Sequence, residues 1–218
     1  MKTLIAILFF ITSGYHLSAQ TDKFNFGFEV SPNFTNIDRN SLYTTFYYPD
    51  YGFRPAFNMD VKAGYKLSQR FLLTGGAGYM TTREFVILDL NGQANIDRIE
   101  SDRFHSYVFL PFGVKYYFGD FFISPEVGIG WNTANVTENT FRNTDGSVSS
   151  SKGDDINNLY DVNAVTYPVF FSFGNEIHLK SYSISLGVKA YYSLNPVGYD
   201  DSNYGHYYGV GILAGMIF

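Results

Sequence analysis

Hydrophobic and polar residues alternate along most of this chain, and the alternation is clearest at its end. In steps of two from the last residue, one face consists of Phe218, Met216, Ala214, Ile212, Val210 and Tyr208, all apolar or aromatic. The other face consists of Ile217, Gly215, Leu213, Gly211, Gly209 and Tyr207 and is rich in glycine. A period of two places successive side chains on opposite faces of a β-strand. A long strand that is apolar on one face and ends in an aromatic residue is typical of transmembrane β-barrels.

The same alternation predicts seven earlier strands. They cover residues 24–31, 57–67, 71–79, 107–118, 123–132, 169–178 and 183–192. The links after the second, fourth and sixth strands are very short, near 68–70, 119–120 and 180–181. The links after the first, third, fifth and seventh strands are long and polar, near 33–54, 83–103, 133–164 and 194–203.

This alternation of short and long links predicts an all-β fold, an eight-stranded antiparallel up-and-down transmembrane β-barrel. Short periplasmic turns and long external loops are typical of outer-membrane barrels, so we predict the bacterial outer membrane as the location. The structural alternative is a water-soluble, lipocalin-like barrel. That alternative would bury the Phe/Val/Ile face and expose the face that carries Glu, Lys and Gly.

The first residues predict export. Lys2 is followed by an apolar run, and small residues stand near a cut after Ala19 or Gln20, which is the layout of a secretory signal peptide. We therefore predict a signal peptide at 1–20 and one barrel domain at 21–218. The run is too short to span a bilayer as a helix. No cysteine follows the cut, so the chain is not predicted to be a lipoprotein.

Composition narrows the function classes. Removing Lys2 leaves 14 basic residues against 20 acidic ones, a net charge of 14 − 20 = −6, because the whole chain has 15 Lys+Arg and 20 Asp+Glu. An acidic chain without a basic cluster predicts no nucleic-acid partner. The absence of cysteine excludes disulfides, thiolate metal sites and a cysteine nucleophile. Charged residues make up 16% of the chain, below the roughly 25% of soluble domains.

Two sets of side chains follow from the predicted faces. Outward aromatic residues gather at the short-turn end and predict an interfacial girdle: Phe24, Tyr65, Phe71, Phe118, Phe121, Tyr182 and Phe218. Inward charged residues predict a paired network in the lumen: Glu29, Asp60, Lys62, Lys66, Lys115, Glu126, Glu176 and Lys189. Buried charges must be paired, so we expect a salt-bridged plug, with a narrow ion pore as the alternative. Inward glycines are expected to make room for Phe109, Tyr117 and Tyr191.

Catalysis has one candidate cluster. An outer-membrane hydrolase would use His with Ser and a carboxylate, and His105-Ser106 with Glu100 or Asp102 nearby fits those residue types. The alternative, a loop-edge histidine beside a serine, is the interpretation we prefer. His178 is expected at the opposite end of the barrel, so the histidines do not converge. We predict no enzyme, no catalytic residue, no metal site and no cofactor.

The long links are the expected binding regions, because a rigid barrel displays binding residues on its loops. One link is unusually aromatic, with Phe46, Tyr47, Tyr48, Tyr51 and Phe53. Such residues are suited to holding a glycan or a partner protein. Alternatively they cap the barrel or rest on lipopolysaccharide. The Ser/Asp/Gly-rich segment 142–158 is predicted to be mobile.

Four stretches resemble one known family. They are Ala19-Gln20, the strand Leu110-Pro-Phe-Gly-Val-Lys-Tyr-Tyr-Phe118, the strand Phe122-Ile-Ser-Pro-Glu-Val-Gly-Ile-Gly130 and the glycine-rich end that terminates in Phe218. They are similar to the PorT-like outer-membrane β-barrel family of Bacteroidetes-type bacteria. The resemblance implies an eight-stranded barrel in a Gram-negative cell envelope, inserted by the barrel-assembly machinery. It also implies a link to type IX secretion and gliding.

The predicted function is a non-enzymatic structural or binding platform that acts through its external loops. The first alternative is an accessory component of a type IX secretion or gliding apparatus, and the second is an outer-membrane lipid-modifying hydrolase. The predicted partners are outer-membrane lipid or lipopolysaccharide, the barrel-assembly machinery during insertion, and an envelope protein.

Overall fold

The computed structural model describes residues 23–38, 47–48, 53–90, 95–154, 164–196 and 205–218. The predicted signal peptide lies outside the described residues. Within them the chain forms these strands: β1 (Phe24–Asp38), β2 (Tyr47–Tyr48), β3 (Arg54–Lys66), β4 (Phe71–Asp89), β5 (Ile96–Phe118), β6 (Phe121–Asn143), β7 (Val148–Asp154), β8 (Val165–Thr166), β9 (Pro168–His178), β10 (Ser183–Ser193) and β11 (His206–Ile217). Among these residues no helix has the length and apolar character needed to cross a membrane.

Eight of the strands close into a ring. The order around it is β1, β3, β4, β5, β6, β9, β10 and β11, and β11 pairs back with β1. Every pairing in the ring is antiparallel, including the closing one, in which Val30 lies opposite Ala214. Each barrel strand is therefore the neighbour of the next one along the chain. The predicted eight-stranded antiparallel up-and-down barrel is confirmed.

The two faces of the barrel are the reverse of those of a soluble protein. Apolar side chains lie on the outside, where Val127 and Ile212 are 57% and 66% exposed. Charged side chains such as Glu126 and Lys189 are buried inside. A lipocalin-like barrel would need the opposite arrangement. The barrel is of the transmembrane type, because only a lipid environment favours an apolar exterior of this extent.

Three strands are much longer than the sequence pattern predicts. β4 continues to Asp89, β5 begins at Ile96, and β6 continues to Asn143, where β7 turns back to pair with it. The predicted loops at 83–103 and 133–164 are thus largely β-structure, and Val148–Asp154 is a paired strand within the segment predicted to be mobile. The pattern missed this because the alternation stops there: residues 137–139 are all polar, and residues 85–88 are all apolar.

The extra length forms a sheet that projects from one end of the barrel. A strand that crosses a bilayer needs about 9–11 residues, whereas β5 and β6 each have 23. We call the projecting part the distal sheet; it comprises 83–89, 96–103, 136–143 and 148–154. The opposite end has short turns, such as Gly119–Asp120 between β5 and β6. Gly119 has a φ of 71°, which side chains other than glycine rarely adopt.

Candidate functional site

Buried ion pairs fill the lumen nearest the short turns. Lys62 Nζ donates to Glu29 Oε2 and to Glu126 Oε1, both at 2.6 Å. Lys189 Nζ donates to Asp60 Oδ2 at 2.7 Å and lies 3.5 Å from Glu29 Oε2. These side chains come from β1, β3, β6 and β10, so the pairs join opposite walls of the barrel.

A third lysine completes this arrangement one step closer to the short turns. Lys115 Nζ donates to Glu176 Oε2 at 2.6 Å and lies 3.9 Å from the centre of the Phe122 ring. The Tyr117 hydroxyl donates to the same oxygen at 3.0 Å. The carboxylate is therefore held by an ammonium and a phenol, while the ring of Phe122 supports the ammonium by a cation–π contact.

We call these seven buried residues the ion-pair layer: Glu29, Asp60, Lys62, Lys115, Glu126, Glu176 and Lys189. They are seven of the eight residues predicted for the lumen network. The eighth, Lys66, is exposed at the short-turn end and lies outside the layer. Four carboxylates face three lysines, so the layer has a formal charge of 3 − 4 = −1. The layer therefore has one carboxylate more than it has lysines.

An aromatic layer lies beyond the ion-pair layer, toward the distal sheet. It consists of Ile37, Met80, Tyr107, Phe109, Phe170, Tyr191 and Tyr207, all buried. The rings of Phe109 and Phe170 are 5.1 Å apart, and those of Phe170 and Tyr191 are 6.1 Å apart. Inward glycines make room for two of these rings, because a Cβ at Gly78 or Gly209 would lie 2.5 Å from Phe109 or Tyr191 respectively.

The end of the lumen nearest the distal sheet is narrowed by β4 itself. Thr35 Oγ1 on β1 donates to the Arg83 carbonyl at 3.0 Å and accepts from the Arg83 N–H at 2.9 Å. A side chain of β1 thus takes the place of a ladder partner for β4, whose pairing with β3 ends at Met80. At the next position along β4, buried Glu84 accepts from Arg103 Nη1 at 3.1 Å. Ion pairs, rings and this crossing together occupy the interior from the ion-pair layer to the distal end.

The candidate catalytic pair is divided between two faces of the barrel wall. His105 points into the barrel, with Nδ1 2.8 Å from Asn135 Oδ1 and its ring 5.6 Å from that of Tyr207. Ser106 is on the outer face, where its Oγ accepts from the Tyr79 hydroxyl at 2.8 Å. The two carboxylates are paired elsewhere, Asp102 with Arg83 and Glu100 with Arg142. These residues do not form a nucleophile–base pair.

Besides His105, the described residues include two histidines, which lie at opposite ends of the barrel. His178 is exposed at the short-turn end, with Nδ1 2.9 Å from Ser183 Oγ and 3.7 Å from Glu176 Oε1. His206 is at the distal end, where it stacks on Tyr192 at 5.2 Å. Among the described residues no group of three or more His, Asp or Glu is arranged to hold a metal ion.

The aromatic link is only partly described. Phe46 and Tyr51 lie outside the described residues, while Tyr47 and Tyr48 form β2 and pair with Leu88 and Ile87. Phe53 is exposed and makes an edge-to-face contact with Tyr208, with ring centres 5.8 Å apart. Phe53 therefore belongs to the rim of the barrel, next to β11, and β2 is attached to β4 of the distal sheet.

The outward aromatic residues at the short-turn end lie where the girdle was predicted. Their rings pack in pairs: Phe24 with Tyr65 at 5.1 Å, Phe71 with Tyr116 at 4.8 Å, and Phe118 with Phe121 at 5.9 Å. Tyr182 and Phe218 are half-buried at the same end. Rings at this level suit the boundary between hydrocarbon and headgroups, and they fix the depth of a barrel in its membrane.

Ion pairs between neighbouring strands stiffen the distal sheet, and the sequence pattern gave no sign of them. Arg83 Nη2 lies 2.5 Å from Asp102 Oδ2, and Arg98 Nε lies 2.8 Å from Asp89 Oδ1. Arg142 pairs with Glu100 at 2.9 Å, and Lys152 pairs with Glu138. The hydrogen bond from Arg83 to Asp102 raises the pKa of Arg83. A register of strand pairs, unknown at the sequence level, brings these charges together.

A cavity of about 360 Å³ opens at the short-turn end. Glu176, Tyr117 and Leu72 line its deep part, and the exposed side chains of Lys66, Gln69 and His178 line its mouth. A smaller cavity of about 30 Å³ follows among Glu29, Lys62, Lys115 and Glu126. The open space therefore leads from the short turns to the ion-pair layer, below the aromatic layer.

Comparisons with known proteins give weak similarities. No protein-family model matches the chain, and no curated protein matches it. Among solved structures, it is similar to the attachment invasion locus protein Ail of Yersinia pestis, with a TM-score of 0.40, 13% identity and coverage of 90% of this chain and 99% of that one. Neisserial surface protein A gives a TM-score of 0.37, 9% identity and coverage of 89% and 95%. The outer membrane protease OmpT of Escherichia coli gives a TM-score of 0.40, 9% identity and coverage of 91% of this chain and 97% of that one. Similarities at this level assign no function, and the fold rests on the strand pairing described above.

Proposed function

We propose that the protein is an outer-membrane β-barrel that acts as a non-enzymatic binding platform, with the distal sheet as its working surface. The observation that carries this proposal is the length of β5 and β6, which are about twice as long as a membrane crossing requires. In this proposal the short turns face the periplasm and the distal sheet faces the cell exterior. The lipid and lipopolysaccharide of the outer membrane surround the apolar outer face of the barrel.

The filled lumen supports a platform rather than a channel. Eight strands leave an interior that side chains can fill, and here two layers occupy it, with Lys189 Nζ lying 5.0 Å from the ring of Phe170 where they meet. Moving a solute through the barrel would require breaking buried ion pairs and displacing packed rings. The barrel is therefore suited to holding the distal sheet at a fixed height above the membrane.

The distal sheet has the features of a protein-binding surface. Its ion pairs hold the side chains in place, so little conformational entropy would be lost on binding. Half-buried apolar residues lie between the charges on its outer face, namely Phe85 and Val136, and half-buried Phe104 adjoins them as the strand partner of Val136. The guanidinium of Arg54 lies 4.2 Å from the centre of the Phe85 ring. Rings bordered by charged groups are a common composition for a protein interface, so we propose an envelope protein as the partner.

A shortened hairpin tests this proposal. Glu138 and Lys152 are opposite each other in β6 and β7, so replacing 139–151 by Asn-Gly closes the hairpin with a two-residue turn. We expect the shortened barrel to assemble but to lose partners that the full barrel retains in a pull-down from outer membranes. The control is Ser149→Ala, which keeps the hairpin. Equal recovery of the same partners by both barrels would contradict the proposal.

Two alternatives lead to different results in the same experiment. Membership of the PorT-like family, with an accessory role in type IX secretion or gliding, predicts stoichiometric recovery of large secretion or motility proteins. A lipid-modifying hydrolase predicts altered lipid A or phospholipid on overexpression, with the change lost in His105→Ala. The placement of His105 and Ser106 on opposite faces supports the non-enzymatic proposal over the hydrolase.

A further inference from the structure

The cavity at the short-turn end has a buried carboxylate at its deep end. Glu176 is 3% exposed, and it lines the cavity together with Tyr117 and the exposed mouth residues Lys66, Gln69 and His178. This end is opposite to the distal sheet. A site here is therefore independent of the binding platform proposed above.

The two oxygens of Glu176 are unequally occupied. Oε2 accepts from Lys115 at 2.6 Å, from Tyr117 at 3.0 Å and from Ser185 at 3.4 Å. Oε1 has His178 Nδ1 at 3.7 Å, which exceeds a hydrogen bond, and that nitrogen is hydrogen-bonded to Ser183 Oγ at 2.9 Å. Oε1 therefore keeps capacity to accept a hydrogen bond on the side from which His178 approaches, where the cavity opens.

Two other carboxylates of the ion-pair layer each lie near two ammonium groups. Glu29 lies 2.6 Å from Lys62 Nζ and 3.5 Å from Lys189 Nζ. Asp60 lies 2.7 Å from Lys189 Nζ and 3.7 Å from Lys62 Nζ. Glu176 has one lysine, Lys115. A second ammonium at Oε1 would reproduce at Glu176 the arrangement that Glu29 and Asp60 already have.

We propose that this cavity binds a small organic primary amine, with its ammonium group on Glu176 Oε1. The volume of about 360 Å³ is within the usual range of small-molecule sites. At the deep part of the cavity Tyr117 provides a ring face for the ammonium, and Leu72 provides an apolar surface for the body of the ligand. Lys66 at the mouth has the same charge as the ligand and weakens its binding.

Benzylamine and benzyl alcohol are matched probes, because they share the ring and differ in charge. Titration into the full barrel in detergent, followed by NMR or calorimetry, is expected to show benzylamine binding at least about tenfold tighter, equivalent to about 1.4 kcal/mol. The preference should disappear in Glu176→Gln, which can still accept from Lys115. Lys66→Met should tighten benzylamine binding about twofold, because an exposed like charge is lost and exposed charges are largely screened.

A second variant leaves the ion-pair layer unchanged, in case Glu176→Gln does not assemble. Gln69→Trp narrows the mouth of the cavity and should abolish benzylamine binding, whereas Ser149→Trp at the distal end should leave it unaltered. Equal binding of the amine and the alcohol would overturn the proposal. So would a preference for the amine that survives Glu176→Gln, or binding that survives Gln69→Trp.

Discussion

The ion-pair layer and the distal sheet use the same chemistry in two surroundings. In the lumen, Lys62 joins Glu29 and Glu126 across the barrel, and all three are buried. In the distal sheet, Lys152 joins Glu138 between neighbouring strands, and both are exposed. A buried charge that loses its partner has no water to replace it, whereas an exposed one does. Pairing of charges is thus a condition of folding in the lumen and a means of ordering a surface in the distal sheet.

Removing one lysine from each region should give the largest difference. Lys62→Met leaves Glu29 and Glu126 without their closest cation, and we expect a loss of about 3–5 kcal/mol in the free energy of unfolding. The matched change Lys152→Met should cost about 0–1 kcal/mol, because its pair is exposed. Urea unfolding of the barrel in lipid vesicles measures both. Small and equal losses would mean that the lumen is hydrated enough to make the two regions alike.

The outer surface offers a second contrast, between two valines. Val188 is 50% exposed on the apolar outer face of the barrel, and Val148 is 59% exposed in β7. Val188→Lys should destabilise the barrel by about 2–4 kcal/mol, because it places a charge in lipid. Val148→Lys should change stability by about 0.5 kcal/mol or less. The readout is the folded fraction, measured on gels in which the folded barrel migrates differently from barrel unfolded by heating. An equal loss of folded barrel in both variants would contradict the placement of Val188 in lipid and of Val148 outside it.

Packing should differ between the regions by a smaller amount. A Cβ at Gly78 would lie 2.5 Å from the Phe109 ring and 2.8 Å from Asp60 Cβ, whereas one at Gly153 would meet nothing within 4 Å. We expect Gly78→Ala to cost about 1–3 kcal/mol through overpacking and Gly153→Ala to cost about 0.5 kcal/mol or less. Thermal unfolding of the two variants compares them. A harmless Gly78→Ala would mean that the aromatic layer is loosely packed.

The smallest expected difference between the two regions is in how the cost of losing an ion pair depends on salt. Arg98 is partly exposed and lies 2.8 Å from Asp89, so Arg98→Met should cost about 0–1 kcal/mol at low salt. That cost should fall toward zero between about 0.1 and 1 M salt, since the screening length shortens from about 10 to 3 Å. The cost of Lys62→Met should not change over this range. A salt-sensitive Lys62→Met would show that ions reach the ion-pair layer.

The sequence predicted much of the barrel because lipid imposes a simple rule on each strand. An apolar residue at every second position, as in Ile184, Leu186 and Val188, is enough to assign the outer face. The same period could have separated His105 from Ser106, because adjacent residues in a strand point to opposite faces. The distal sheet was missed because its strands lie outside lipid and need no apolar face, so polar residues at 137–139 and apolar residues at 85–88 follow one another without a period of two.

The sequence by itself determined the number of strands in the ring, the outward face of each and the end at which the short turns lie. Only the tertiary structure decided which charges meet. Glu29 and Glu126 are 33 and 64 residues from Lys62, yet both lie 2.6 Å from its ammonium. Such contacts depend on the register of every strand pair around the ring and on the stagger that closes it. Local alternation in the sequence fixes a face, but the register that closes a barrel is a property of all its strands together.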